Sequence, residues 1–235
     1  MWSRCRVGVS VVTSAVLIVS FQAADSSNPR GKLAVETYLK AEYRFDRDVD
    51  REYATRGRVE DVTHELAVDR VSSQSVFSFP IRAGAPISHA LVAVDSSGVV
   101  TVLNDLPSIN ALFDRPPADL DAAEVARLLA EIFLRIHNYD GYRNQGYPLG
   151  INVVQASTDI PFPELPPQPG SAIRDYGIHP PRFEEVNDKY RFTLYSWTPA
   201  GGALLRHEIW VEDNRVRDDR VETLKRWVGA HRPAH

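Results

Sequence analysis

The sequence predicts an α+β fold in which helices pack on curved antiparallel sheets, and three patterns predict it. Residues 89–103 and 190–211 each hold two apolar runs around a short glycine-containing turn, which is typical of a β-hairpin. Residues 122–138 carry apolar side chains at helical spacing. Because tight turns join the strands, and no helical crossover does, we expect antiparallel sheets with helices on one face.

The helix predicted at 122–138 has an apolar stripe along its whole length, as expected for a helix that faces a core. The stripe consists of Val125, Leu128, Leu129, Ile132, Phe133 and Ile136. Asp121, followed by Glu124 three residues later, predicts a capping box at its N-terminus. Gly141 is predicted to mark the exit from the helix.

The two hairpins are predicted from strand alternation and from turn residues. In the first, residues 95–98 form the turn, and a β-like run at 76–79 precedes it. In the second, residues 198–202 form the turn and Asp213 begins a further one. After that turn, the apolar side chains at 221–229 have helical spacing.

The predicted order of elements is helix, hairpin, helix, hairpin, with the first helix at 32–45. This order suggests a duplicated α-β-β unit, although any two β-hairpins share such features. The two units would be 32–118 and 119–235, either separate or joined in one compact domain. This predicted architecture resembles that of the cystatin-like and NTF2-like folds. The resemblance is one of architecture only, because the sequence contains no motif of either family.

A proline-rich loop is predicted at 158–185, where prolines are too frequent for a helix or a central strand. The prolines are Pro161, Pro163, Pro166, Pro167, Pro169, Pro180 and Pro181. The segment is either a stiff surface connection or an extended polyproline II ligand for a partner.

The N-terminus has the pattern of a secretion signal at 1–24, followed by a polar tether at 25–31. Arg4 and Arg6 precede an uncharged run at 7–21, which is shorter than the ~20 apolar residues that span a bilayer. The residues three before the two candidate cleavage points are Gln22 or Phe21, and neither is small. A secreted or periplasmic location is therefore predicted, with an uncleaved membrane anchor as the alternative.

Cleavage of this leader would remove Cys5, the one cysteine of the chain, and would exclude disulfides and thiolate metal sites. Removing Arg4 and Arg6 from the 27 basic residues leaves 25 against 31 acidic ones, a net charge of about −6. This charge argues against nucleic acid and against anionic lipid as partners. No membrane contact is predicted unless the leader is uncleaved.

Residues 137–147 hold the most unusual composition in the chain, with three tyrosines among amides, a histidine and an acid. Tyrosines beside amides suit the recognition of a glycan or a peptide, because the ring is apolar and its hydroxyl forms hydrogen bonds. The alternative is that these side chains cover the helix end and hold a turn. The candidate ligand-binding residues here are His137, Tyr139, Asp140, Tyr142 and Tyr147.

His207 is the sixth candidate, on an apolar strand face with Leu205 and Ile209. There it is either a satisfied core histidine or an acid–base group lining a pocket. The remaining histidines and acids show no metal-ligand spacing, and no cofactor motif is present.

The sequence therefore leaves three functional hypotheses. The first is an exported, non-catalytic protein that binds an unknown protein, peptide or glycan. The second is a hydrolase or isomerase that uses His207 and Asp140 in a cupped-sheet pocket. The third is an envelope structural protein anchored by its leader.

Overall fold

The fold is α+β, as predicted, with helices and two antiparallel sheets. The computed structural model describes residues 29–42, 58–81, 87–156, 159, 177–198 and 202–225. Several predicted features lie wholly or partly outside the described residues. They are the leader at 1–24, residues 25–28 of the tether, residues 43–45 of the first predicted helix, residues 199–201 of the second hairpin turn, most of the proline-rich loop and the C-terminal half of the helix predicted at 221–229.

Four helices are described: α1 (Pro29–Glu42), α2 (Leu106–Asn110), α3 (Ala122–His137) and α4 (Tyr139–Gln145). Helix α3 confirms the strongest sequence prediction, and its capping box is formed. The Asp121 carboxylate accepts from the Glu124 backbone N–H at 2.8 Å, and the Glu124 carboxylate accepts from the Asp121 N–H at 3.0 Å. The helix ends at His137, four residues before Gly141, so Gly141 does not mark its exit.

Helix α1 begins at Pro29, so residues 29–31 of the predicted tether are helical. Proline is favoured in the first turn of a helix because it has no N–H to leave unpaired there. The residues of α1 that are buried lie four apart and pack on the sheet; they are Gly31, Val35 and Leu39.

Sheet 1 is a meander of four strands in the order β1-β2-β3-β4. The strands are β1 (Glu60–Asp61), β2 (Ser75–Pro80), β3 (His89–Val94) and β4 (Val100–Val102). The hairpin predicted at 89–103 is therefore confirmed. His89 is the first residue of β3, and it pairs with Pro80 at the end of β2, where the connection between these two strands lies.

Sheet 2 has five strands, and its central hairpin also confirms the sequence prediction. The strands are β5 (Val153–Val154), β6 (Arg182–Val186), β7 (Lys189–Thr198), β8 (Ala203–Glu212) and β9 (Arg215–Lys225). The order is β5-β7-β8-β9, and β6 pairs with the other half of β7.

Two predictions near these strands are wrong. Strand β6 occupies residues predicted to be loop. It forms because residues 182–188 contain no proline and because Asn187 and Asp188, with φ of 53° and 61°, form a hairpin turn. Strand β9 continues to Lys225, where a helix was predicted from residue 221. The apolar side chains in this short segment fit either a helix or a strand. Hydrogen-bonded pairing with β8 therefore decides that residues 221–225 form a strand.

The elements stack in four layers, with α3 between the two sheets. One face of sheet 1 packs on α1, which corrects the expectation of helices on one face only. The other face joins α3 and sheet 2 in the main core. Residues of that core include Val76 and Leu91 from sheet 1, Leu129 and Phe133 from α3, and Leu194 and Ile209 from sheet 2. Of the described helices, none combines the length and apolarity needed to cross a membrane.

Candidate ligand-binding site

A cavity of about 410 Å³ lies where α3 turns into α4, against the ends of β3 and β4. We call it the first cavity. Its polar side chains come from three separate parts of the chain, so only the folded structure brings them together. They are His89, Asn104, His137, Asn138, Tyr139 and Asp140.

His89 is held by Asp140 through two hydrogen bonds to one oxygen. Both the backbone N–H and the ring Nδ1 of His89 lie 3.0 Å from Oδ1 of Asp140. The His89 side chain is 11% exposed and that of Asp140 is 45% exposed. The carboxylate accepts at Nδ1, so the neutral form of the ring would carry its proton there and would have Nε2 as an acceptor. Among the described residues, neither His89 Nε2 nor Asp140 Oδ2 has a hydrogen-bond partner.

Tyr139 fixes the His89 ring from a second direction. The two ring centroids are 5.6 Å apart and the planes are nearly perpendicular, at 89°. Tyr139 is 4% exposed, and this burial raises the pKa of its hydroxyl, while the neighbouring Ser78 hydroxyl acts in the opposite direction. The phenol therefore stays protonated at neutral pH. The imidazole is held between a carboxylate and an aromatic ring, and its orientation is set before any ligand arrives.

His137 and Asn138 form the wall of the cavity at the end of α3. The exposed His137 ring stacks on Phe133 with centroids 5.4 Å apart and planes at 16°. The Asn138 side-chain amide donates to the Leu134 carbonyl at 3.1 Å, which leaves its oxygen available as an acceptor.

Two glycines allow the backbone to close this wall. A Cβ at Gly141 would lie 2.0 Å from the Gly150 carbonyl oxygen, and one at Gly150 would lie 2.5 Å from the Asn138 carbonyl oxygen. Gly150 also has a φ of +75°, which side chains with a Cβ rarely adopt. Gly141, which lies in α4, therefore allows this helix to pack closely against Gly150.

Three of the six predicted site residues line the first cavity: His137, Tyr139 and Asp140. Residues 139–145 form a helix and not the predicted loop, so their side chains point in different directions. The Tyr142 hydroxyl donates to the Glu65 carbonyl at 3.2 Å, and neither Tyr142 nor Tyr147 is among the lining residues. Tyr142 thus fixes α4 to the segment before β2.

His207 is also absent from the lining of this cavity. It lies on the inner face of sheet 2, 6% exposed, and its Nε2 is 2.7 Å from the Ser196 hydroxyl. Burial lowers the pKa of His207 to about 4, and the nearby His137 contributes in the same direction. The structure therefore places His207 in the core as a neutral ring, separate from the cavity that contains Asp140.

A second cavity, of about 270 Å³, also borders His89 and is lined by the later part of α4. We call it the second cavity. Its charged side chains are Arg58, Glu60 and Arg143, and Ser78 and Asn144 add polar groups. His89 lines both cavities. It is thus the residue at which the two cavities meet.

His89, Asn104 and Arg58 line the cavities but are not among the site residues predicted from the sequence. His89 and Asp140 are 51 positions apart, and no local pattern relates them. The available signal was the position of His89 at a strand start, where side chains lie at the end of a sheet. Within the described part of the chain, no group of three or more histidine, cysteine or acidic side chains is arranged to hold a metal ion.

Comparison of the chain with protein-family models, with curated proteins and with solved structures gives no match in any of the three.

Proposed function

We propose that the chain is an exported, non-catalytic protein that binds a small hydroxyl-rich molecule, such as a saccharide, in the first cavity. The observation that carries the proposal is the His89–Asp140 pair, held by two hydrogen bonds in a cavity of about 410 Å³. Cavities of ~300–1000 Å³ are typical of sites for small ligands. The rest of the lining adds amides and a second imidazole.

The chemistry of the lining favours hydroxyl groups over other ligands. His89 Nε2 and Asp140 Oδ2 are acceptors, and the amide of Asn104 is both a donor and an acceptor. A hydroxyl group donates and accepts at once, so it can satisfy both kinds of partner. No lysine or arginine is among the residues lining the first cavity, so an anionic group has no cation to pair with there.

Export is the second part of the proposal, and it depends on the leader. Arg4 and Arg6 before an apolar run, with Ala23 and Ala24 at its end, support removal of the leader on secretion. N-terminal sequencing of the protein recovered from a bacterial host would show a new N-terminus near residue 24. An intact Met1 in the membrane fraction would support an anchored envelope protein instead.

The binding proposal predicts that His89→Ala weakens a hydroxyl-rich ligand about tenfold. One lost hydrogen bond to the ring costs about 1 kcal/mol, and the freed Asp140 carboxylate adds to that loss. A glycan array would identify the ligand, and calorimetric titration would measure its Kd. The proposal fails if no saccharide binds, or if His89→Ala binds as tightly as the unchanged protein.

His64→Ala is the matched control for this experiment. His64 also pairs with an aspartate, through Nδ1 and Asp69 Oδ2 at 3.0 Å, but its side chain is 98% exposed and lines neither cavity. We expect its Kd to match that of the unchanged protein. A loss of affinity in both variants would indicate a general effect of removing a histidine.

A second candidate function is acid–base catalysis in the same cavity. The observation that favours it is the geometry of His89, whose Nδ1 contacts a carboxylate while Nε2 has no partner among the described residues. This arrangement is the one by which a carboxylate orients a histidine base. Turnover of a saccharide ester or glycoside that is lost in both His89→Ala and Asp140→Ala would establish the enzyme and overturn the non-catalytic proposal.

A further inference from the structure

The second cavity bears on the ligand of the first because the two share His89. The first cavity lies at the start of α4, and the second is lined by the later residues Arg143 and Asn144 of the same helix. The two cavities therefore border the same histidine and follow the same helix.

The second cavity contains one cation whose charge is not balanced by a partner. Arg143 forms ion pairs with Glu60 and with Glu65, the latter at 3.5 Å, so its charge is offset. Arg58 is exposed and forms no ion pair or hydrogen bond within the described part of the chain. The guanidinium of Arg58 is thus the cation of this lining that no described carboxylate pairs with.

We propose that the ligand carries an anionic group, and that this group lies in the second cavity against Arg58. The inference rests on the proposed function, because it concerns the same ligand. A guanidinium matches a carboxylate, phosphate or sulfate with two parallel hydrogen bonds. Such pairing gives the Arg58 guanidinium the anionic partner that it lacks among the described residues.

The charged side chains of the two cavities also determine the orientation in which the ligand binds. Asp140 lines the first cavity, and its carboxylate repels an anion there while accepting hydrogen bonds from hydroxyl groups. Arg58 attracts the anion at the opposite end. The ligand therefore binds with its neutral, hydroxyl-bearing unit at Asp140 and its acidic unit at Arg58, as an acidic disaccharide would.

The test compares matched pairs of disaccharides, each a neutral sugar and its uronic acid counterpart, in gluco and galacto configurations. We expect the acidic member of one pair to bind at least tenfold more tightly at low ionic strength. The preference falls as salt is added, because the Arg58 pair is exposed to solvent. A phosphorylated member of the same pair shows whether the natural anion is a carboxylate or a phosphate.

Arg58→Gln separates the inference from the proposed function. We expect this variant to bind the acidic and the neutral sugar within twofold of each other. Arg70→Gln is the matched control, since Arg70 is exposed and lines neither cavity, and it keeps the preference. Unchanged thermal unfolding of Arg58→Gln shows that its fold is intact.

Each remaining outcome counts against a defined part of the proposal. Equal binding of the acidic and neutral sugars by the unchanged protein overturns the inference and leaves the proposed function standing. A preference for the acidic sugar that persists in Arg58→Gln also overturns it, because another cation would then hold the anion. If no member of any pair binds, the inference fails together with the proposed function.

Discussion

Replacing Gly150 by alanine is expected to lower the free energy of unfolding by about 2–5 kcal/mol. The positive φ of +75° accounts for roughly 1–2 kcal/mol of this loss. The clash of the new Cβ with Asn138, at 2.5 Å from its carbonyl oxygen, adds about 1–3 kcal/mol because backbone must move to relieve it. Urea unfolding followed by circular dichroism measures the change.

Alanine substitutions at two further glycines distinguish the cost of the positive φ from the cost of the steric clash. Gly146 has a φ of +69° and open space around it, so Gly146→Ala is expected to cost only the ~1–2 kcal/mol of the backbone term. Gly141 has no positive φ but lies against Gly150, so Gly141→Ala reports the steric cost, less the ~1 kcal/mol that alanine gains over glycine inside a helix. If Gly150→Ala is no more damaging than Gly146→Ala, the close approach of the two segments is contradicted.

Acidification from pH 6.5 to pH 4 is expected to remove roughly 3 kcal/mol of stability through His207. The pKa of this ring is lowered from 6.5 to about 4 in the folded protein, and one pKa unit corresponds to about 1.4 kcal/mol. Between these values the unfolded chain binds the proton and the folded one does not. The stabilisation that the neutral His207 ring provides is therefore complete above pH 6.5 and decreases as the pH falls. It is lost at about pH 4, the pKa of this ring in the folded protein.

The double variant Ser196→Ala with His207→Leu isolates this effect, because it removes the ring without leaving the Ser196 hydroxyl unpaired in the core. We expect its stability to change less between pH 6.5 and pH 4 than that of the unchanged protein. Burial raises the pKa of Asp219, which acts in the opposite direction, but that group is present in both proteins. Equal pH dependence in the two proteins would contradict a buried neutral His207.

His64→Leu serves as the control for the pH experiment. The carboxylate of Asp69 raises the pKa of His64, so its contribution has the opposite sign and grows as the pH falls. The loss of stability on acidification is therefore expected to persist in this variant. A loss that disappeared in His64→Leu would assign the effect to the wrong histidine.

Helix α3 and the two hairpins could be predicted because their signals are local. The capping box at Asp121 and Glu124, the apolar stripe and the turn residues are all read within a few positions. Strand β9 could not, because the spacing of Val221 and Leu224 fits a helix, and the pairing of Val221 with His207 decides the strand. The segment that forms helix α4 has no clear helical signal, because it contains glycine and asparagine, which are poor helix formers.

The candidate site was predicted only in the part that lies close together in the chain. His137, Tyr139 and Asp140 fall within four positions, and their unusual composition was visible. Their partner His89 is brought to Asp140 by the contact of α4 with the start of β3, which is a tertiary contact. Arg58 and Asn104 have no local signal of function, and only the cavities identify them.

The central claim is that the first cavity binds a hydroxyl-rich ligand beside the His89–Asp140 pair. The most direct measurement is a titration of the ¹⁵N-labelled protein with the sugar identified on the array, followed by amide chemical shifts. We predict saturable shifts at His89, Asn104, Asn138 and Asp140, with none at the buried Ser196–His207 pair. Shifts confined to other parts of the surface, or their persistence in His89→Ala, would contradict the claim.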